Sequence, residues 1–448
     1  MWADAAFDYD FVGIKVLSQR IFVCNTPETV QYAFNTRHAV FDRKSPTMRH
    51  MLHPLIGDGL FISDGENWRK RRRVVAPIIH VSNTSAFAPV MTETAREWAD
   101  RWDELPEGSA IDALAEMAEL TAEIICRAIF GQRLGHGRAH EIVEGFSEFQ
   151  KSVSLIDIPS LFGLPDWWPR WRPGSLLRSA ARIQRTIGEI IDDCRAGVAG
   201  TEHSFIRQLI EARDEETGEP LSDAAIRNEA IVIFMAGHET TANTMAFTWF
   251  LLSQAPDVVV RLQAELAGAL GGRDPELSDV PNLPYTRAIV EETLRLYPPI
   301  PILAREAASD EKIKGTKIPK RSMIMVVPFL LHRKRGLWDK PDHFMPERFL
   351  PGGGAPPSKW AYVPFSIGPR NCAGMAFGMT EAIICLATLA QRFTLELEPG
   401  HVVEPVCLVS LRPGDRLPMR LHRRGHSTRP TPTRRDVSPV ASCPFGHG

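Results

Sequence analysis

The chain has 448 residues, 44% of them hydrophobic and 24% charged, with a formal net charge of −2. This is the composition of a globular chain with a large core; it excludes a disordered chain and one drawn to nucleic acid by its overall charge. Seven scattered cysteines without a C-x-x-C pair argue against a disulfide framework or a structural zinc, and neither an apolar run of about 18 residues nor a signal-peptide core occurs, so the expectation is a cytoplasmic protein without a membrane span.

Residues 11–24 alternate as a strand pair (Val12, Ile14, Val16, then Ile21, Val23), and Thr26-Pro27-Glu28 reads as a helix start. A short helix carries Trp68 and, within the basic run Arg69-Lys70-Arg71-Arg72-Arg73 that follows it, Arg72. Helical periodicity then dominates, over 88–105, 112–131, 138–153, 174–196 and 203–214. Between two of these, Pro159 to Gly174 holds three tryptophans and four prolines, which no regular helix accommodates. One reading is a loop whose tryptophans pack on the core; the other comes from the family resemblance given below, which implies a mobile segment over the substrate entrance.

The longest apolar helix is expected from Ser222 to about Ala255, on the order of 50 Å long, with Ser222 or Asp223 as its cap. Ala236-Gly237-His238-Glu239-Thr240-Thr241 interrupts it with a carboxylate and two hydroxyls, a local conflict of the kind found at functional sites. Helices over 256–270 and 284–297 follow; the second puts Glu292 and Arg295 on one face before Tyr297-Pro298-Pro299 stops it. Strand-like runs, a proline-rich meander from His332 to Pro351 and the loop Phe365-Ser366-Ile367-Gly368-Pro369-Arg370-Asn371-Cys372-Ala373-Gly374 lead into a last helix reaching about Phe393. A cysteine at a helix start is stabilised as a thiolate by the backbone N–H groups and the positive end of the helix dipole. Strands and turns are expected over 394–421, and a disordered tail over 422–448, whose Cys443 and His447 could bind metal or simply hang free.

The loop pattern Phe-x-x-Gly-x-Arg-x-Cys-x-Gly resembles the haem-binding loop of the cytochrome P-450 superfamily, soluble bacterial type. Ala-Gly-x-Glu-Thr-Thr resembles its oxygen-activation motif, and Glu292-x-x-Arg295 with Pro346-Glu347-Arg348-Phe349 its structural triad. The resemblance implies a mainly α fold with small β-sheets (α+β), as one domain over 1–421 whose N-terminal lead is short or truncated. The cofactor would be haem b, iron protoporphyrin IX, lying between the long helix and the cysteine-loop helix. Cys372 would be its metal ligand, with Ala236, Phe365, Gly368 and Gly374 shaping the site. Trp68, Arg72, Arg305 and Arg370 would meet the propionates. Glu239 and Thr240 would pass protons towards dioxygen, while Glu292, Arg295 and Arg348 lock the core. His238 is expected to point away.

The pocket is expected from 45–62, Phe234, Met235, Ile300 to Leu303 and Leu408 to Leu411, and a lipophilic terpenoid, steroid or fatty-acid-like substrate fits it. The implied activity is monooxygenation by a monomer, with electrons from a separate ferredoxin or flavodoxin-type donor and its NAD(P)H reductase. Arg69, Lys70 and Arg73 are expected to face outward as a basic docking surface for that donor. The alternatives are a haem-thiolate peroxygenase or a non-catalytic haem sensor.

Overall fold

The computed structural model describes residues 4–131, 135–153, 157–197, 204–353 and 358–424. The proposed tail site at Cys443 and His447 lies outside them. Helices form the bulk, and four small sheets flank them.

The central helix, Asp223–Gln254, is buried on nearly every side. Ser222 caps it, its hydroxyl accepting from the Ala225 N–H. It crosses the helix Ala113–Phe130 closely because Gly237 has no side chain there: a Cβ would lie 2.9 Å from Ile125 Cδ1. The cysteine-loop helix, Met375–Arg392, packs against the central helix and against Val81–Asp103. The helices Gly135–Ser152 and Gly174–Arg195 pair with each other. No single helix among the described residues is long and apolar enough to cross a membrane.

The strand pair expected over 11–24 is present as Phe11–Val16 and Gln19–Cys24, antiparallel. It begins a five-stranded sheet that continues through Met323–Val326, Leu303–Glu306 and Arg43–Lys44. The last two strands run antiparallel, with Lys44 opposite Arg305. This register matters below, because it sets two cations side by side.

The expected helices are present with ends moved by a few residues; the largest differences are at 81–103 and 205–211. The helix Pro46–Ile56 went unread, since Pro54 and two histidines blur its apolar period. The expected triad is built as a buried network. Arg295 donates to both oxygens of Glu292 at 2.7 and 2.8 Å, and Arg348 to the same carboxylate at 3.2 Å. Further Arg295 bonds reach the backbone oxygens of His332, Pro341 and His343. A fully buried guanidinium thus has partners all round, and the meander is tied to the helix Pro284–Leu296.

Candidate active site

A cavity of about 290 Å³ lies between the central helix and the cysteine loop. Ala236, Thr240 and Thr241 form one wall, and Phe365, Cys372 and Gly374 the other. The loop closes on itself, the Cys372 N–H donating to the Phe365 carbonyl at 2.8 Å. Its turn needs Gly368: φ is +77°, and a Cβ would sit 2.0 Å from the Phe34 carbonyl oxygen. Gly374 meets nothing within 4 Å, so the start of the following helix is bare towards the cavity.

Cys372 is accessible, yet protein atoms surround it; its free surface faces the cavity rather than the outside. Burial raises its pKa, while the Gly374 N–H and the positive charges of Arg72 and Lys44 pull it back.

Three cations line the cavity without a carboxylate. Arg305 is 3% exposed, its one hydrogen bond goes to the Ala304 carbonyl, and burial lowers its pKa to about 9. Lys44, opposite it, has its ammonium 4.5 Å from the Phe61 ring centre and its pKa pushed well down by burial. Arg72 donates to the Asn371 side chain at 3.0 Å, and burial lowers its pKa too. No ion pair among the described residues includes any of the three. Like charges directly opposite in a sheet are destabilising, and buried charges without partners are costly. The arrangement fits an apolar ligand that brings its own carboxylates and a metal that takes a thiolate.

Arg370 also lines the cavity, with partners already in place. It bonds Asp42 at 2.7 Å and the Ser63 carbonyl at 2.9 Å, and its guanidinium lies 4.3 Å from the Trp68 ring centre. Its charge is already met, so its visible work is to hold Trp68 and the cysteine loop together.

Glu239 and Thr240 stand on the cavity wall in different states. Thr240 donates to the Ala236 carbonyl at 2.7 Å, the back-bond expected of Thr in a helix. Glu239 is locked: Arg412 and Ser410 donate to one oxygen at 2.6 and 2.7 Å, and Gln150 to the other at 2.5 Å. His238 points away, packed between Phe146 and Phe234. Phe234 is therefore core, while Val232, Ile233 and Met235 line the cavity with Met48, Leu60 and Phe61.

The loop bearing Leu60 and Phe61 is fixed by Glu229, which accepts from the Leu60 N–H at 3.0 and 3.2 Å. Burial raises the pKa of Glu229 to about 7. Residues Lys44, Gln150, Arg412 and Glu229 escaped the sequence reading. Only Glu229 left a signal, a carboxylate within an apolar helix.

The basic run also differs from expectation. Arg72 faces the cavity, but Arg69 pairs with Glu66, Lys70 with Glu219, and Arg73 with Asp214 and Glu216. These cations are neutralised by local carboxylates and form no free basic surface.

A family model for cytochrome P450 matches residues 5–413. The chain belongs to the cytochrome P450 family. As a cytochrome P450 it is a haem enzyme, a monooxygenase of lipophilic molecules that needs dioxygen and a redox partner. It is 32% identical to cyclooctatin synthase of Streptomyces melanosporofaciens, over 92% of this chain and 88% of the relative. Cyclooctat-9-en-7-ol 5-monooxygenase of the same organism is 30% identical, over 87% and 83%. Pentalenene oxygenase of Streptomyces avermitilis is 28% identical, over 93% and 90%. A crystal structure of another cytochrome P450 haem domain superposes with a TM-score of 0.81 at 26% identity, covering 93% of this chain and 90% of that one. The P450 fold and the haem cofactor agree with the expectation from the cysteine loop.

Proposed function

We propose that this P450 holds haem b through Cys372 and oxidises a terpenoid-like lipophile. One observation carries the reading: a cysteine thiol, three cations without an ion-pair partner among the described residues (buried Arg305, half-buried Lys44 and Arg72) and the bare Ala236–Thr240 face meet in a single cavity. Arg72, Arg305 and Lys44 take the two propionates, offsetting charges that are otherwise stranded. Trp68, Phe365, Gly368 and Gly374 shape the bed, and Arg370 acts through Asp42 and Trp68. Bound haem supplies dioxygen activation, favoured by electron density from the thiolate.

The residues on the opposite wall handle protons. Thr240 Oγ1 lines the cavity and can hand on its proton only by leaving the Ala236 carbonyl. Glu239 accepts three neighbours' hydrogen bonds, so it serves as a proton carrier only after releasing Arg412. Apolar side chains such as Leu60, Phe61, Ile233 and Val409 suit a lipophilic substrate. The relatives named for cyclooctatin, cyclooctat-9-en-7-ol and pentalenene support a terpenoid class.

The electron donor is a separate ferredoxin or flavodoxin-type protein with an NAD(P)H reductase. We read the enzyme as a cytoplasmic monomer. The test is the reduced, carbon-monoxide-bound spectrum. The wild type is expected to show the thiolate Soret band and Cys372→Ser to lose it; a thiolate band surviving in Cys372→Ser overturns the assignment. Turnover with a surrogate ferredoxin system but not with peroxide separates the monooxygenase from a peroxygenase, and product formation separates it from a sensor.

A further inference from the structure

Contrary to one expectation, the tryptophans between Pro159 and Gly174 do not pack on the core: Trp167 and Trp171 are 77% and 87% exposed, and none of the three lines the cavity. The loop 57–64 does line it, through Leu60 and Phe61. This loop lies so close to the central helix that two of its positions exclude a side chain. A Cβ on Gly57 would sit 2.4 Å from Asn228 Nδ2, and one on Gly59 2.8 Å from Val232 Cγ2.

Two carboxylates hold the loop there. Asp58, on the loop itself, accepts from Arg71 at 2.9 Å and from Asn228 and Asn67 at 3.2 Å. Glu229, on the helix and fully buried, accepts from the Leu60 N–H with both oxygens. It forms no other hydrogen bond among the described residues: Arg71 Nε is 3.7 Å away. Arg71 NH1 is buried without a partner. Arg71 thus stands between the two carboxylates, bonded to one and short of the other. A buried carboxylate is costly unless it is well partnered. This one has a single amide of a cavity-lining loop.

The loop and the proton are linked. Burial raises the pKa of Glu229 to about 7; Arg71 and the Leu60 N–H pull it down, Asp58 pushes it up, and these two side chains are the charged groups acting on it. A loop lifted off the helix returns Glu229 to water and to the ordinary 4.5. The closed form therefore binds the proton more tightly than the open one. Below pH 4.5 both forms keep it. Between 4.5 and 7 only the open form releases it, so opening becomes easier as pH rises; above 7 the gain is complete. An ionised Glu229 also draws Arg71 off Asp58, which undoes the loop's second tie.

We propose that Glu229 is a positioning residue for the substrate side of the cavity: it latches the loop 57–64 to the central helix, sets where Leu60 and Phe61 stand, and releases them on ionisation. The consequence for substrate fit rests on Cys372 holding haem; the latch itself does not. The test is hydrogen–deuterium exchange of the haem-loaded full chain over 57–64, with the helix Pro284–Leu296 as internal reference. Glu229→Gln keeps an acceptor for the Leu60 N–H and has no proton to lose. Glu229→Leu has no acceptor, and should exchange about tenfold faster than Glu229→Gln at every pH. The wild-type rate, divided by that of Glu229→Gln, should rise about tenfold or more from pH 5.5 to 8. Soret-shift titrations give the second readout. Glu229→Leu should bind 4-phenylimidazole about fivefold more weakly than Glu229→Gln does, with imidazole, too small to reach Leu60 and Phe61, unchanged. Equal exchange in the two variants, a ratio that stays flat with pH, or equal weakening of both probes overturns the proposal. The exchange result does not depend on the haem, so the carbon-monoxide spectrum tells failure of the latch from failure of the haem assignment.

Discussion

Glu381 offers a quantitative test of how the helix Met375–Arg392 is packed. Its carboxyl is 1% exposed, and neither oxygen has a well-formed hydrogen bond; the Thr241 hydroxyl is the polar group beside it. Burial pushes its pKa from the 4.5 of a free glutamate up to about 8. Below pH 4.5 the folded and unfolded chains both keep the proton. Between 4.5 and 8 the unfolded chain releases it and the fold does not, so stability falls as pH rises; above 8 the loss is complete. A gap of about 3.5 pH units at about 1.36 kcal/mol each amounts to about 5 kcal/mol. Glu381→Gln keeps the shape and has no proton to lose. Its amide stays short of partners, at about 1–3 kcal/mol, but that cost does not vary with pH. The assay is urea unfolding of the haem-loaded protein from pH 5 to 8.5. Relative to the wild type, the variant should gain stability steadily across that range. Glu229, held at about 7, is present in both proteins and drops out of the difference. Parallel profiles would mean that Glu381 is already ionised in the fold, and the reasoning would fail.

Two further outcomes follow from the packing. Arg295→Met leaves the Glu292 carboxylate buried with Arg348 as its one cation and the Met345 N–H as its other donor, so a loss of about 3–5 kcal/mol is expected in urea unfolding; a loss below about 1 kcal/mol would show that water reaches the network. Gly368→Ala forces a Cβ against the Phe34 carbonyl and should abolish stable haem loading, read as the ratio of Soret to protein absorbance. Gly271→Ala has a similar positive φ but open space around it, and should cost only about 1–2 kcal/mol of backbone strain with haem loading unchanged.

Much of this enzyme was legible in the sequence, because its signals are local. Ser222 begins the central helix, Glu292 and Arg295 share a face three residues apart, and the glycine-punctuated cysteine loop needs only its own ten residues to be recognised. Short-range spacing and cap chemistry decide such features before any packing occurs. What each charged group meets was decided elsewhere. Glu239 finds Arg412 across 173 positions, Arg370 finds Asp42 across 328, and Lys44 faces Arg305 only because two short strands pair in that register. Glu381 stays without a charge partner for the same reason: the helices that enclose it bring a hydroxyl and no cation. The sequence by itself determined the family, the cofactor and the order of the helices. Only the tertiary structure determined which cations remain unpaired around the cavity and which tryptophans face the solvent, because long-range pairing and burial depend on how whole elements pack and leave no periodic trace along the chain.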